Sequence, residues 1–254
     1  MNKPVVVSEE VLNAPVVSPP LAPADNPSEP LKVAPVASAA TGPAYVVLGG
    51  ISFSHFLNDT MQSLIPSVYP ILKANYALDF TQIGIITLAF NFTSSLLQPV
   101  VGMVTDRKPM PFSLALGMGF TFIGLLLLSA ANAYLVILAA AALVGIGSAV
   151  FHPESARIAR AASGGRYGFA QSVFQVGGNT GSAIGPLLAA AVIVPFGQPS
   201  IAWFSSIAFL AILVLWRIGL WYRPRIAAAK KAGAVLRDPN GPTSRRVMIA
   251  LSVL

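Results

Sequence analysis

From Tyr45 onward the chain alternates between apolar runs of about 20 residues and short polar breaks. A run of roughly 20 apolar residues is what an α-helix needs to cross about 30 Å of hydrocarbon. The pattern predicts six spans, at 45–71, 80–103, 111–130, 133–152, 168–194 and 201–222, and the start of a seventh at Val247. Within the spans the polar residues are not scattered. On the first, Ser52, His55, Asp59 and either Gln62 or Ser63 follow at steps of three and four, which puts them on one helical face, with Asn58 beside Asp59. On the second, Thr87, Asn91, Ser94 or Ser95, and Gln98 repeat the spacing, and on the fifth Gln171, Gln175, Asn179 and Ser182 do so. The third span (SLALGMGFTFIGLLLL) and the sixth (IAWFSSIAFLAILVLW) are almost without polar groups in their central turns. Three spans therefore have one wet face, and two suit lipid or dry packing.

Composition agrees with a membrane protein: 55% of residues are apolar and 10% charged, against roughly 25% charged in soluble domains. The formal charge of +7 points to a nucleic-acid partner only if the charges cluster on a soluble face, and they do not. Arg107 and Lys108 follow the second span, Arg157, Arg160 and Arg166 the fourth, and Arg223, Arg225, Lys230, Lys231 and Arg237 the sixth. The alternate breaks offer Lys73 and Asp79, then Asn132, then an uncharged PFGQPS. By the positive-inside rule the basic breaks are cytoplasmic, and so is the N-terminus. No nucleic-acid partner is expected; the lipid bilayer is. The chain has no cysteine, so neither a disulfide framework nor thiolate chemistry is available. It also lacks a G-x-x-x-x-G-K-[ST] phosphate loop, which leaves no nucleotide as an energy source and no cofactor to expect. No nucleophile, base and orienting group can be assembled from spacing, so an enzyme is not expected.

Four regions follow. Residues 1–43 hold nine prolines among Ala, Val and Ser, a composition expected to form a disordered cytoplasmic tail without a secretory signal. Residues 44–222 form the six-span bundle, 223–246 a basic cytoplasmic loop, and 247–254 the start of the seventh span. Those last eight residues rise only about 12 Å as a helix. That is too short to cross, so the chain is expected to be a fragment of something longer or the product of a truncated gene.

Asp59 is the residue that most needs a reason. An ionised aspartate near the centre of a transmembrane helix costs about 2.5–3.5 kcal/mol on insertion scales, so it must face a partner or a water-filled cavity. His55 lies one helical turn earlier and can share a proton with it. Two readings stand: a carboxylate bonded to a neighbouring helix, or one that titrates or contacts substrate. The glutamines and asparagines of the second and fifth spans divide in the same way, between helix-to-helix bonding and cavity lining. Gly177, Gly181 and Gly185 recur every four residues and allow close backbone approach, and Pro186 adds a bend. At the end of the fourth span, GIGSAVFHPESARIAR, Pro153 disfavours helical geometry at His152. Glu154 and Arg157, three apart, can pair, and such a pair if buried can lock a conformation. His152 has no second histidine or cysteine nearby in sequence, so no metal site is expected.

The stretch GMVTDRKPMP, with Gly102, Asp106 and Arg107, resembles the loop signature of the major facilitator superfamily, although Pro109 and Met110 stand where glycine and a basic residue are usual. The Gly181, Gly185, Pro186 series is similar to that superfamily's fifth-span antiporter motif, whereas Ala141 replaces a frequent fourth-span arginine. Taken in order, SHFLNDTMQSLIPSVYPILK, DRKPMP, VFHPESARIAR and QSVFQVGGNTGSAIGPLLAA with PFGQPSIAWFS resemble the fosmidomycin resistance branch of bacterial drug exporters. The resemblance implies an all-α membrane protein: the six-helix N-terminal bundle of a twelve-span major facilitator fold, its C-terminal six-span half missing. It implies a proton-coupled inner-membrane antiporter that expels fosmidomycin or a related small anion, with spans one, two, four and five around a cavity. Asp59, His55, Asn58, Gln62, Asn91, Gln98, Gln171, Gln175 and Asn179 are then cavity candidates. Gly102, Asp106, Arg107, His152, Glu154, Arg157, Gly181, Gly185 and Pro186 are gating candidates. The alternatives are a transporter of another small metabolite, an inactive half, and a membrane receptor or structural subunit that transports nothing.

Overall fold

A computed structural model describes residues 42–231. The tail expected at 1–43 falls almost wholly outside the described residues, as do 232–246 of the expected loop and the seventh-span start at 247–254. The described residues are helical throughout, with no strand among them. In chain order the elements are α1 (Tyr45–Ser67), α2 (Tyr69–Tyr76), α3 (Phe80–Asn91), a π turn (Phe92–Leu96), α4 (Leu97–Arg107), α5 (Ser113–Ser129), α6 (Tyr134–Ala162), α7 (Tyr167–Leu188), a second π turn (Ala189–Ile193), the one-turn α8 (Val194–Phe196) and α9 (Ile201–Lys231). Helices occupy all six of the predicted runs. The first is α1 with α2, the second α3 with α4, and the fifth α7 with α8.

Local chemistry explains the ends. Asp79 caps α3 reciprocally: its Oδ1 accepts from the Gln82 backbone N–H at 2.7 Å, and Gln82 Oε1 accepts from the Asp79 N–H at 3.0 Å. The turn between α6 and α7 passes through Gly164 and Gly165 at φ +57° and +87°, a region closed to most side chains. At the same end of the bundle as the α5–α6 turn, buried Gln198 of PFGQPS donates to the Leu128 and Ala131 carbonyls at 2.9 and 3.1 Å and accepts from Tyr76 at 2.9 Å. Tyr76 also donates to the Ala131 carbonyl.

Two expectations are corrected. The fourth span does not stop at His152: α6 runs through Pro153 to Ala162. Proline deletes one helical hydrogen bond, but Glu154 and Arg157 beyond it are anchored to α4 and α5 by side-chain bonds, and these hold the helix on its course. Nor does the sixth span give way to a loop at Arg223: α9 continues to Lys231, across the helix-favouring Ala227, Ala228 and Ala229.

The helices over Phe80–Arg107, Tyr134–Ala162, Tyr167–Phe196 and Gln198–Ala229 are long and apolar enough to cross a membrane, and Ser113–Ser129 is apolar but shorter. α7 packs along α1, and α5 lies between α6 and α9. The α1–α7 seam is made by glycine. A Cβ at Gly177 would stand 2.1 Å from the Ser52 carbonyl oxygen, and one at Gly181 would stand 2.2 Å from that of Phe56. At Gly185 it would lie 1.8 Å from Ser63 Oγ. Real Cβ atoms do not come this close, so the two backbones meet only because these positions carry none.

Candidate functional site

The polar face of α1 meets α6 and α7 where Asp59 sits. Its Oδ2 lies 3.4 Å from His55 Nε2, one turn back on the same helix, and its Oδ1 lies 3.6 Å from His152 Nε2 on α6. The imidazoles face each other edge to face with ring centres 5.3 Å apart. Three donors surround the carboxylate: Asn58 Nδ2 and Gln62 Nε2 at 3.0 and 3.4 Å from Oδ1, and Ser182 Oγ of α7 at 3.5 Å from Oδ2. Ser148 of α6 donates to Gln62 Oε1 at 2.9 Å and so fixes that amide's orientation.

Each imidazole has its other nitrogen committed. His55 Nδ1 lies 2.9 Å from the Phe174 carbonyl, and His152 Nδ1 lies 3.0 Å from the Ser148 carbonyl. A carbonyl only accepts, so each Nδ1 carries the hydrogen. In the neutral rings both Nε2 atoms are then lone pairs aimed at an acceptor-only carboxylate. The carboxylate is offset against these two lone pairs by its donors Asn58, Gln62 and Ser182, and a cation bound between a ring and the carboxylate would make that contact a charge-assisted one.

Packing holds His55 in place. Its ring stacks on Phe174 with centres 3.9 Å apart and planes 13° apart, against Phe151 on the other flank. A Cβ at Gly178 would lie 2.3 Å from the ring, so a helix without a side chain at that position is what leaves room for the histidine. His55 is 2% exposed, whereas Asp59 and His152 are 16% and 29% exposed, so the cluster is reached through those two side chains.

The structure divides the sequence-derived candidates. His55, Asn58, Asp59 and Gln62 come together, and His152 joins them. Asn91, Gln171, Gln175 and Asn179 are exposed and make none of these contacts; Gln175 Nε2 instead donates to Asn179 Oδ1 at 3.1 Å, and half-buried Gln98 donates to the Ser94 carbonyl at 2.7 Å. Sequence reasoning missed Ser148 altogether and did not connect His152 to Asp59. The signal was present in the i, i+4 spacing of Ser148 and His152 on an otherwise apolar span.

A second cluster lies toward the Arg107 end of α4. Arg157 Nη1 reaches Glu154 Oε1 at 2.7 Å and the Thr105 carbonyl at 3.0 Å, while Nη2 reaches Asp106 at 2.5 Å and Thr105 Oγ1 at 3.0 Å. Glu154 is 1% exposed and accepts from Ser113 of α5 at 2.8 Å. One guanidinium thus ties α4 to α6, and one carboxylate ties α6 to α5. A Cβ at Gly102 would lie 4.0 Å from that of Pro153, so the glycine leaves room on that side, and Arg107 is exposed.

An all-helical bundle with long apolar helices and a polar cluster inside one seam is the architecture of half a helical membrane transporter fold. The chain belongs to the major facilitator superfamily, whose family model matches residues 51–253. It is 52% identical over 227 residues to the fosmidomycin resistance protein of Escherichia coli (strain K12), covering 87% of this chain and 55% of that protein. It is 41% identical over 226 residues to the uncharacterized MFS-type transporter YfnC of Bacillus subtilis (strain 168), again covering 88% and 55%. The chain therefore spans about half the length of the curated relatives it matches. Among solved structures it resembles the peptide transporter POT in complex with sulfate, with a TM-score of 0.61 at 16% identity over 85% of this chain and 46% of that one. A tetrameric PepTSo2 structure gives a TM-score of 0.56 at 17% identity over 82% and 46%. At such identities the likeness is one of fold.

Proposed function

We propose that the chain is the N-terminal six-span half of a proton-coupled antiporter of the bacterial inner membrane that expels fosmidomycin or a related small anion. The observation that carries the reading is the convergence of His55, Asp59 and His152, with Asp59 oxygens 3.4 and 3.6 Å from the two Nε2 atoms. Antiport requires that the cluster hold the proton and the anion in turn and never together, so that the proton enters in one half of the cycle and the anion leaves in the other. The 52% identity to a fosmidomycin resistance protein supports the substrate class, although a shared fold by itself fixes no substrate.

In this reading the exposed polar faces of α3 and α7, with Asn91, Gln171, Gln175 and Asn179, form cavity walls that a second six-span bundle completes. Arg157, Glu154 and Asp106 act as a cytoplasmic clamp that keeps α4, α5 and α6 of this half together while the halves rock. The N-terminus is cytoplasmic, because the basic residues follow the second, fourth and sixth spans.

The test is fosmidomycin accumulation in cells expressing either the 254-residue chain or a longer chain that adds six further spans, with and without a proton uncoupler. Uncoupler-sensitive lowering by the longer chain is expected. No lowering by either chain would refute the substrate assignment, and lowering that survives the uncoupler would refute proton coupling.

A further inference from the structure

We propose that His55, Asp59 and His152 also form a binding site for a divalent transition-metal ion of the zinc class, which takes the place of the proton and clamps α1 to α6. The proposal rests on reading the triad as the cation-handling centre of the seam, but it concerns a different cation and has its own readout.

Geometry is the first support. Zinc binds imidazole nitrogen and carboxylate oxygen at about 2.0–2.2 Å, so neighbouring ligands in a tetrahedral site stand about 3.3 Å apart. Here the two histidine-to-carboxylate separations are 3.4 and 3.6 Å, and all three ligand atoms lie within 4.8 Å of one another. His152, the most exposed of the three at 29%, is the ligand that must shift to close the remaining distance between the two nitrogens.

Protonation pattern is the second support. A metal-bound histidine characteristically donates its other ring N–H to a carbonyl or carboxylate, which fixes the tautomer and turns the free lone pair toward the ion. Both rings are held in this way, His55 by the Phe174 carbonyl and His152 by the Ser148 carbonyl. Asn58, Gln62 and Ser182 hold the carboxylate. Buried Asn58 Oδ1 has no hydrogen-bond partner, a further acceptor left over beside a cluster already rich in them.

Three protein ligands leave a coordination position free, as in metal sites that exchange a ligand. That position can take water or an oxygen of an anion. Because the ligands lie on two helices, an ion held here opposes any motion that separates α1 from α6. The expected consequence is inhibition of transport by zinc.

The chain suits a direct test, because these are its only two histidines and it has no cysteine. The chain is purified without a histidine tag in detergent micelles and titrated with Zn2+ alone by calorimetry, alongside His152→Gln, Asp59→Asn and, as a folded reference, Ser172→Ala. Circular dichroism checks helix content in each. Saturation near one ion per chain is expected, with affinity at least about tenfold weaker in His152→Gln and Asp59→Asn, the low end of losses seen when metal sites are disturbed, and unchanged in Ser172→Ala. No saturable binding, or equal binding in all four folded chains, would overturn the proposal. In cells expressing the longer chain, uncoupler-sensitive export without zinc binding would sink the metal site alone. Triad-dependent zinc binding without export would sink the transport reading alone.

Discussion

A single methyl group placed at Gly181 probes the seam on which the site depends. The Cβ of Gly181→Ala would stand 2.2 Å from the Phe56 carbonyl oxygen, about 1.2 Å inside ordinary contact, and 3.0 Å from the Thr60 nitrogen. Both obstacles are backbone of α1, so no side chain can swing aside. α7 must move off α1 or stay strained. Forcing an extra methyl into a packed interior costs about 1–3 kcal/mol, and replacing a helical glycine by alanine returns roughly 0.5–1 kcal/mol. A net loss of up to about 2.5 kcal/mol is expected on these two principles. Gly119→Ala on α5 is the matched control, since its Cβ meets nothing within 4 Å, and it should be neutral or gain the helical increment. The assay is reversible unfolding of the purified chain in mixed micelles, followed by helix content as denaturing detergent is added. Gly181→Ala as stable as Gly119→Ala would refute the account of the seam.

Other outcomes follow from the same contacts. Gly178→Ala meets the His55 ring rather than backbone, a ring packed against Phe174 and Phe151, so the triad is displaced and the longer chain should lose uncoupler-sensitive export. Arg157→Met strands Glu154, which is 1% exposed, and removing one partner of a buried pair costs about 3–5 kcal/mol; Asp106→Ala, at a residue 67% exposed, should cost under about 1 kcal/mol, and the same unfolding assay reads both. Gln198→Ala leaves the Leu128 carbonyl without its side-chain donor and should cost about 1–3 kcal/mol if no water replaces it, with proteolysis of the α5–α6 and α8–α9 turns as a second readout.

Much of this was legible in the sequence because hydrocarbon imposes length and composition on a spanning helix. Six apolar runs became helices, four of them long and apolar enough to cross a membrane, and glycines at four-residue spacing became the α1–α7 seam. The i, i+4 pair of His55 and Asp59 met as its helical spacing requires. What escaped were contacts set between helices. By local sequence His152 closes a span because Pro153 follows it, yet tertiary bonds from Glu154 and Arg157 carry α6 onward, and His152 meets Asp59. A histidine far away in sequence then supplied the neighbour that local spacing lacked. The partnership of Asp106 with Arg157 likewise joins two loop-end motifs that read as separate. The π turns at Phe92–Leu96 and Ala189–Ile193 left no pattern in hydrophobicity; one extra residue in a turn shifts the helical face without changing its polarity.

The central claim is that Asp59 and its two histidines exchange a proton against an anion. Its most direct test is the pH of a weakly buffered solution of the purified longer chain when fosmidomycin is added, compared with the Asp59→Asn chain. A pH change on addition that is absent from Asp59→Asn, with folding intact in both, is the expected result. An equal pH change in both chains, or fosmidomycin binding with no pH change in either, would contradict the account.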